Sequence, residues 1–148
     1  MDEKKFKEII KFAIDKEIKA FDFYTNARKV AKFSGAKDLF SDLAKEEVGH
    51  RKMLERLDLK KIAQVKIEKV PDLKISTYIV DAEFKQDMPY ADILRMAIKM
   101  EERALKLYTH MNKSNKDENL NKLFSLLANE EAKHKLRLEK IYDDEILK

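Results

Sequence analysis

The stretch LFSDLAKEEVGHRKMLERL at residues 39–57 returns without a gap as LFSLLANEEAKHKLRLEKI at residues 123–141, an offset of 84 residues (39 to 123). At the same offset, AIDKEIKAFDFY at 13–24 returns as AIKMEERALKLY at 97–108. In each segment the apolar residues recur every three or four positions, which is the period of an amphipathic helix. The sequence therefore predicts a helical hairpin that occurs twice.

The two hairpins predict an all-α protein. One hairpin leaves its apolar face open, so two copies that bury these faces together would make a four-helix bundle with a single core. Ser34-Gly35 interrupts the first hairpin in the manner of a helix stop, which predicts helices at about 4–33 and 37–58. Pro71 and Pro89 help to break the helical period between the hairpins, so this stretch is predicted to be a connection with some local structure. The sequence predicts a single domain over residues 1–148. Its parts are hairpin 1 at about 4–58, the connection at about 60–89 and hairpin 2 at about 90–142.

Composition narrows the class of protein. The 148 residues are 44% hydrophobic and 41% charged, with two glycines and two prolines, which favours long helices over an all-β fold. The absence of cysteine excludes disulfides, thiolate metal sites and iron–sulfur clusters. The 32 basic and 28 acidic residues are interspersed, so a nucleic-acid partner is not expected. The amino-terminal segment is charged, so no signal peptide is predicted. No apolar run reaches the roughly 18 residues of a membrane span, so a cytoplasmic protein is expected.

Six ionisable residues occupy core positions of the predicted helices: Glu17, Glu47, His50, Glu101, Glu131 and His134. Burying an ionised carboxylate without a partner costs several kcal/mol, so four of them would undo a small domain. Two divalent metal ions would cancel the four negative charges, and each ion could take one neutral imidazole. Residues three apart lie on the same helix face, so in each Glu-x-x-His motif the two side chains can converge on one site. The sequence therefore predicts a two-metal carboxylate site.

Four neighbours of these residues have two interpretations each. Glu46 and Glu130 are placed to accept the second ring N–H of a ligating histidine from the opposite hairpin, or they are simply solvated. Tyr24 and Tyr108 lie two turns beyond Glu17 and Glu101. Their hydroxyls could therefore hydrogen-bond a carboxylate near the site, or they are core tyrosines that another acceptor satisfies.

The paired motifs EEVGH at 46–50 and EEAKH at 130–134 resemble those of the rubrerythrin branch of the ferritin-like superfamily, with bacterioferritin as a more distant relative. The resemblance covers both hairpins and implies a ferritin-like bundle in which the six residues hold two iron ions, with Glu47 and Glu131 bridging them. Rubrerythrins usually add a rubredoxin domain whose cysteines this sequence lacks, so a separate electron donor such as rubredoxin is implied. Rubrerythrins also tend to carry a further glutamate at the position where this chain has Ala104. Without it, the six-ligand set of this chain is symmetric and closer to that of bacterioferritin.

The resemblance implies an oxidoreductase, a non-haem di-iron peroxidase that reduces hydrogen peroxide or O2 in defence against oxidative stress. Iron is the expected metal, with manganese or a mixed pair left open, because carboxylate and imidazole ligands suit both ions. A ferroxidase or iron-storage protein of the ferritin type is an alternative, and a metal-free helical adaptor or DNA-binding bundle is another. A homodimer is expected, and the repeat would allow a domain-swapped form in which two chains exchange hairpins.

Overall fold

The computed structural model describes residues 3–64, 67, 69–79, 84, 85, 87–114 and 117–147. These residues confirm the all-helical prediction, with four long helices in two hairpin pairs, as in a ferritin-like bundle. The α-helices are α1 (Glu3–Val30), α2 (Ser34–Arg56), the short α3 (Leu59–Ile62), α4 (Tyr90–Ser114) and α5 (Glu118–Tyr142), with a 3-10 turn at Ile75–Tyr78 and a π-helical turn at Asp143–Leu147. None of the described helices combines the length and the apolar character that crossing a bilayer requires.

The chain divides into two compact units, Met1–Gln64 and Val65–Lys148. The first contains the pair α1 and α2, which we call hairpin 1, and the second contains the pair α4 and α5, which we call hairpin 2. The single-domain organisation of the whole chain stays a prediction.

The turn of hairpin 1 differs from its prediction. Helix α1 ends at Val30 instead of near residue 33, and Ser34 and Gly35 form the first turn of α2 instead of a helix stop. The reversal is made by the residues before them, because Phe33 is extended (φ −136°, ψ 156°) and its carbonyl accepts from Lys37 N–H at 3.2 Å. Gly35 has no positive φ, so its conformational freedom is not used.

The apolar stripes identified in the sequence form the cores of both hairpins. The buried members are Phe6, Ala13, Tyr24 and Ala27 in α1, Phe40, Leu43 and Leu54 in α2, Leu94, Ala97 and Tyr108 in α4, and Phe124, Leu127 and Leu138 in α5. In hairpin 1 the rings of Tyr24 and Phe40 stack at 6.4 Å between centroids and join α1 to α2. Each large apolar side chain buried in this way stabilises the fold by about 1.5–3 kcal/mol.

The helices of hairpin 2 begin at specific caps. The Pro89 carbonyl accepts from Asp92 N–H and Ile93 N–H at 3.0 and 3.2 Å, so α4 begins directly after the proline. Asp117 caps α5, since its carboxylate accepts from Asn119 N–H at 2.9 Å. Within the predicted connection the structure shows α3 and the 3-10 turn, while residues 65, 66, 68, 80–83 and 86 lie outside the described part.

Candidate metal centre

Hairpin 1 brings together three of the predicted ligands. Glu17 on α1 and Glu47 on α2 are 2% and 1% exposed, although both carry a carboxyl group. The His50 ring nitrogen Nδ1 lies 3.6 Å from Glu17 Oε2 and 3.8 Å from Glu47 Oε2. We call this cluster trio 1.

Hairpin 2 repeats the arrangement with Glu101 on α4 and with Glu131 and His134 on α5. The three residues are buried, and one ligand atom from each lies within 4.8 Å of the others. His134 Nδ1 lies 3.4 Å from Glu101 Oε1. We call this cluster trio 2.

The spacing of trio 2 fits one divalent cation, and His50 of trio 1 lies at a similar distance from each of its two glutamates. Two ligand atoms bound to the same ion at about 2.0–2.2 Å lie about 3–4 Å apart, and the measured nitrogen-to-oxygen separations fall between 3.4 and 3.8 Å. Within the described part of the chain, no donor makes a hydrogen bond to the buried Glu17 Oε2. Carboxylate oxygen together with imidazole nitrogen is a donor set that suits Fe(II) and Mn(II). The structure thus gathers the six predicted ligands into two trios, and their role as ligands stays a prediction.

The four neighbouring residues divide into two kinds. Tyr24 and Tyr108 are completely buried, as core positions of α1 and α4 require. Glu46 is exposed, whereas Glu130 is half-buried, with its carboxylate 3.8 Å from Lys133 Nζ. Their proposed roles beside the ligands stay predictions.

A second group of buried charges in hairpin 2 was not expected from the sequence. Lys135 is 3% exposed and Glu139 is 1% exposed, and both lie on a face of α5 that adjoins the ligand face. Lys135 Nζ lies 2.5 Å from Asp72 Oδ1 and 3.2 Å from Glu139 Oε1. Ser76 N–H donates to Glu139 Oε2 at 2.9 Å. These contacts fasten residues 69–79, which we call the strap, onto hairpin 2.

One feature of the sequence indicates that a segment such as the strap covers α5. Leu126 and Tyr142 form part of a second buried stripe on α5, but the repeat has Asp42 and Asp58 at these positions, and both aspartates are exposed. Such a departure from the repeat indicates that α5 is covered on a face where α2 is not. It does not indicate which segment covers it, because the strap has no helical period.

Two of the groups beside the strap, Lys135 and Glu102, are held in their charged forms. Burial lowers the pKa of Lys135, but the hydrogen bond to Asp72 and the charge of Glu139 outweigh it and raise that pKa above its usual value. Burial raises the pKa of Glu102, but hydrogen bonds from Lys106, Ser76 and Lys99 outweigh this effect and bring the pKa below its usual value. This cluster therefore contains its own compensating charges.

Each hairpin carries two glutamates and one histidine on its core face. This arrangement is typical of one class of proteins, the ferritin-like helical proteins with carboxylate metal sites. The rubrerythrin family model matches residues 8–86 and 92–147. The chain therefore belongs to the rubrerythrin family. No curated protein sequence matches it.

Proposed function

We propose that the chain is a di-iron oxidoreductase that reduces hydrogen peroxide, or O2, with trio 1 and trio 2 holding one iron ion each. The observation that carries the proposal is that both hairpins hold the same glutamate–glutamate–histidine set, with all four carboxylates buried, at positions that the repeat relates one to one. Four buried carboxylates need compensating positive charge, and two divalent ions supply it. Membership in the rubrerythrin family supports iron as the metal.

When bound, two ferrous ions would supply the two electrons needed to break the O–O bond of hydrogen peroxide and would become ferric. The peroxide would take up two protons and be released as two water molecules. The protein contributes the environment. Each glutamate can bind through one or both oxygens, so the carboxylates can follow a change of charge without moving their helices. The burial of the glutamates keeps bulk water from each trio and strengthens the charge interactions within it.

Anaerobic rapid mixing tests the proposal. We expect the iron-loaded chain to contain two Fe(II) ions and to be oxidised by a stoichiometric amount of peroxide much faster than by O2. Glu131→Gln should remove at least one iron and most of the fast oxidation, whereas Glu55→Gln, at an exposed position of α2, should leave both unchanged. Oxidation that is far slower with peroxide than with O2 would count against a peroxidase.

A ferroxidase or iron-storage function is the second candidate, and Ala104 favours it. Rubrerythrins tend to have a glutamate at this position. Because this chain has alanine instead, its six-ligand set resembles the more symmetric set of bacterioferritin. This function predicts a large spherical assembly and many irons per chain under aerobic Fe(II) addition. Gel filtration and iron counting therefore separate it from the peroxidase.

The remaining partners follow from the same proposal. The chain lacks cysteine, so the electrons that return the ions to the ferrous state must come from a separate carrier such as rubredoxin. We propose a cytoplasmic homodimer, with or without exchanged hairpins. A metal-free adaptor or DNA-binding role would be supported instead if chelation left structure and binding properties unaltered.

A further inference from the structure

The strap bridges the two helices of hairpin 2 directly beside trio 2. Its Ser76 is buried, and its backbone N–H donates to Glu139 of α5. The 3-10 turn that carries Ser76 also contacts α4, where hydrogen bonding to Ser76 helps to lower the pKa of Glu102. Asp72 of the strap reaches Lys135, one turn of α5 before Glu139. The strap therefore restrains α4 and α5 against each other.

The restrained residues are the immediate neighbours of proposed ligands. Lys135 follows His134 on α5, and Glu102 follows Glu101 on α4. Adjacent residues on a helix turn together, so a rotation that carried the His134 ring away from the site would break the contact between Lys135 and Asp72. The orientation of trio 2 is in this way coupled to the strap.

Hydrogen bonds within the strap fix its shape. The Asp72 carboxylate accepts from Lys74 N–H at 2.8 Å, and Lys74 takes the left-handed conformation (φ 58°) that side-chain-bearing residues rarely adopt. The Lys74 carbonyl then accepts from Thr77 N–H and from the Thr77 hydroxyl, at 3.1 and 2.7 Å. Asp72 thus shapes the turn and binds Lys135 with the same carboxylate oxygen.

The same positions in hairpin 1 are far more accessible to solvent than those in hairpin 2. The repeat relates Lys135 and Glu139 to Arg51 and Glu55, whose side chains pair at 3.3 Å but are 41% and 53% exposed. Glu102 corresponds to Ile18, which is exposed as well. Hairpin 1 therefore presents to solvent the face that hairpin 2 covers with the strap, and its ligand side chain His50 is 16% exposed against 6% for His134.

We propose that Lys135, fixed by Asp72 and Glu139 of hairpin 2, is a positioning residue that holds trio 2 in its binding geometry, so that trio 2 takes up metal before trio 1 and more tightly. The inference rests on the proposed function, since it requires that both trios bind metal. Its physical reason is that a pre-ordered set of ligands loses less conformational freedom when the ion binds.

Anaerobic titration of the metal-free full chain with Co(II), followed by its visible absorption bands, tests the inference. We expect two steps of unequal affinity, of which His134→Ala removes the tighter one and His50→Ala the weaker one. Lys135→Met should weaken the tighter step by about tenfold or more, the size of effect that groups behind metal ligands have. Arg51→Met, the matched change in hairpin 1, should leave both steps within about twofold, because the Arg51 side chain is only half-buried and its ion pair with Glu55 is open to solvent.

Two further variants separate positioning from a general loss of fold. Lys135→Arg keeps the charge and should restore most of the affinity of the tighter step. Asp72→Asn changes an exposed residue, so the chain should stay folded by circular dichroism, yet the Co(II) bands of the tighter step should shift or weaken. Equal affinities in the wild type, or equal effects of Lys135→Met and Arg51→Met, would overturn the inference alone. Failure of the wild type to take up Co(II) would overturn the proposed function together with it.

Discussion

His134 Nδ1 lies 3.4 Å from Glu101 Oε1, and this contact joins α5 to α4 on the core face of hairpin 2. The repeat places the same pair in hairpin 1, where His50 Nδ1 lies 3.6 Å from Glu17 Oε2. Both helical hairpins are therefore crossed at their centres by polar side chains where an ordinary bundle would have apolar ones. A purely structural bundle has no use for such residues, because apolar side chains of the same size would pack there without a desolvation cost.

Replacing the polar pair by apolar residues should stabilise the metal-free protein. We expect Glu101→Leu combined with His134→Leu to raise the free energy of unfolding in chelator by about 1–4 kcal/mol, since two buried polar groups no longer have to be desolvated. Urea denaturation measures the change. Arg51→Leu combined with Glu55→Leu, at an exposed pair, should change the stability by only about 0.5 kcal/mol. A large loss of stability in the first variant would show that the polar pair supports the fold.

Metal addition should have the opposite effect on the wild type. An ion that binds the folded chain alone stabilises it by about 2.7 kcal/mol when its concentration is 100 times its Kd. We therefore expect Mn(II) or anaerobic Fe(II) to raise the Tm in thermal scans and excess chelator to reverse the rise. Glu47→Gln should reduce the rise, while Glu8→Gln, at an exposed position of α1, should not. A Tm that does not respond to either ion would contradict metal binding at the trios.

The aromatic contact between the helices of hairpin 1 should account for a large part of its stability. Phe40 is completely buried and stacks on Tyr24, so Phe40→Ala should lower the free energy of unfolding by about 3–5 kcal/mol. Phe33 is 49% exposed, and Phe33→Ala should cost no more than about 0.5 kcal/mol. Guanidinium denaturation of the two variants compares them directly. Equal losses would mean that the stacked pair is not the core contact that its burial indicates.

The sequence predicted the helices and the trios for one physical reason. Residues three or four apart share a helix face, so Glu47 and His50 could be assigned to the same face as Leu43 and Leu54 without any knowledge of the tertiary structure. The gap-free repeat then doubled the evidence, since it placed Glu131 and His134 at the same positions of their helix face. Local periodicity therefore determined most of the fold and of the candidate site.

What the sequence did not predict lies where the backbone is irregular. Lys135 and Asp72 are separated by 63 positions, and neither carries a periodic signal that relates it to the other. The turn after α1 was misplaced because Ser34-Gly35 is a common stop signal, whereas the extended conformation of Phe33 already reverses the chain. Both cases involve irregular backbone, where one hydrogen bond or one extended residue decides the path.

The strap should loosen in acid because its contact with α5 depends on the charge of Asp72. Burial raises the pKa of Asp72, but hydrogen bonds from Lys135 and from the Lys74 backbone lower it below its ordinary value of 3.8. A carboxylate whose pKa is lower in the folded state stabilises that state above its unfolded pKa. This stabilisation is lost as the pH falls through the folded pKa.

We therefore expect the wild type to be more stable than Asp72→Asn at neutral pH, with a difference that is constant down to about pH 5 and shrinks at lower pH. Urea denaturation of the metal-free proteins between pH 3 and pH 7 measures the difference, and chelator keeps metal release out of the comparison. Asp15→Asn, on the exposed face of α1, controls for the loss of one negative charge. A difference that grows toward low pH would contradict the sign, because Asp72 would then stabilise the strap in its protonated form and not as the partner of the Lys135 ammonium.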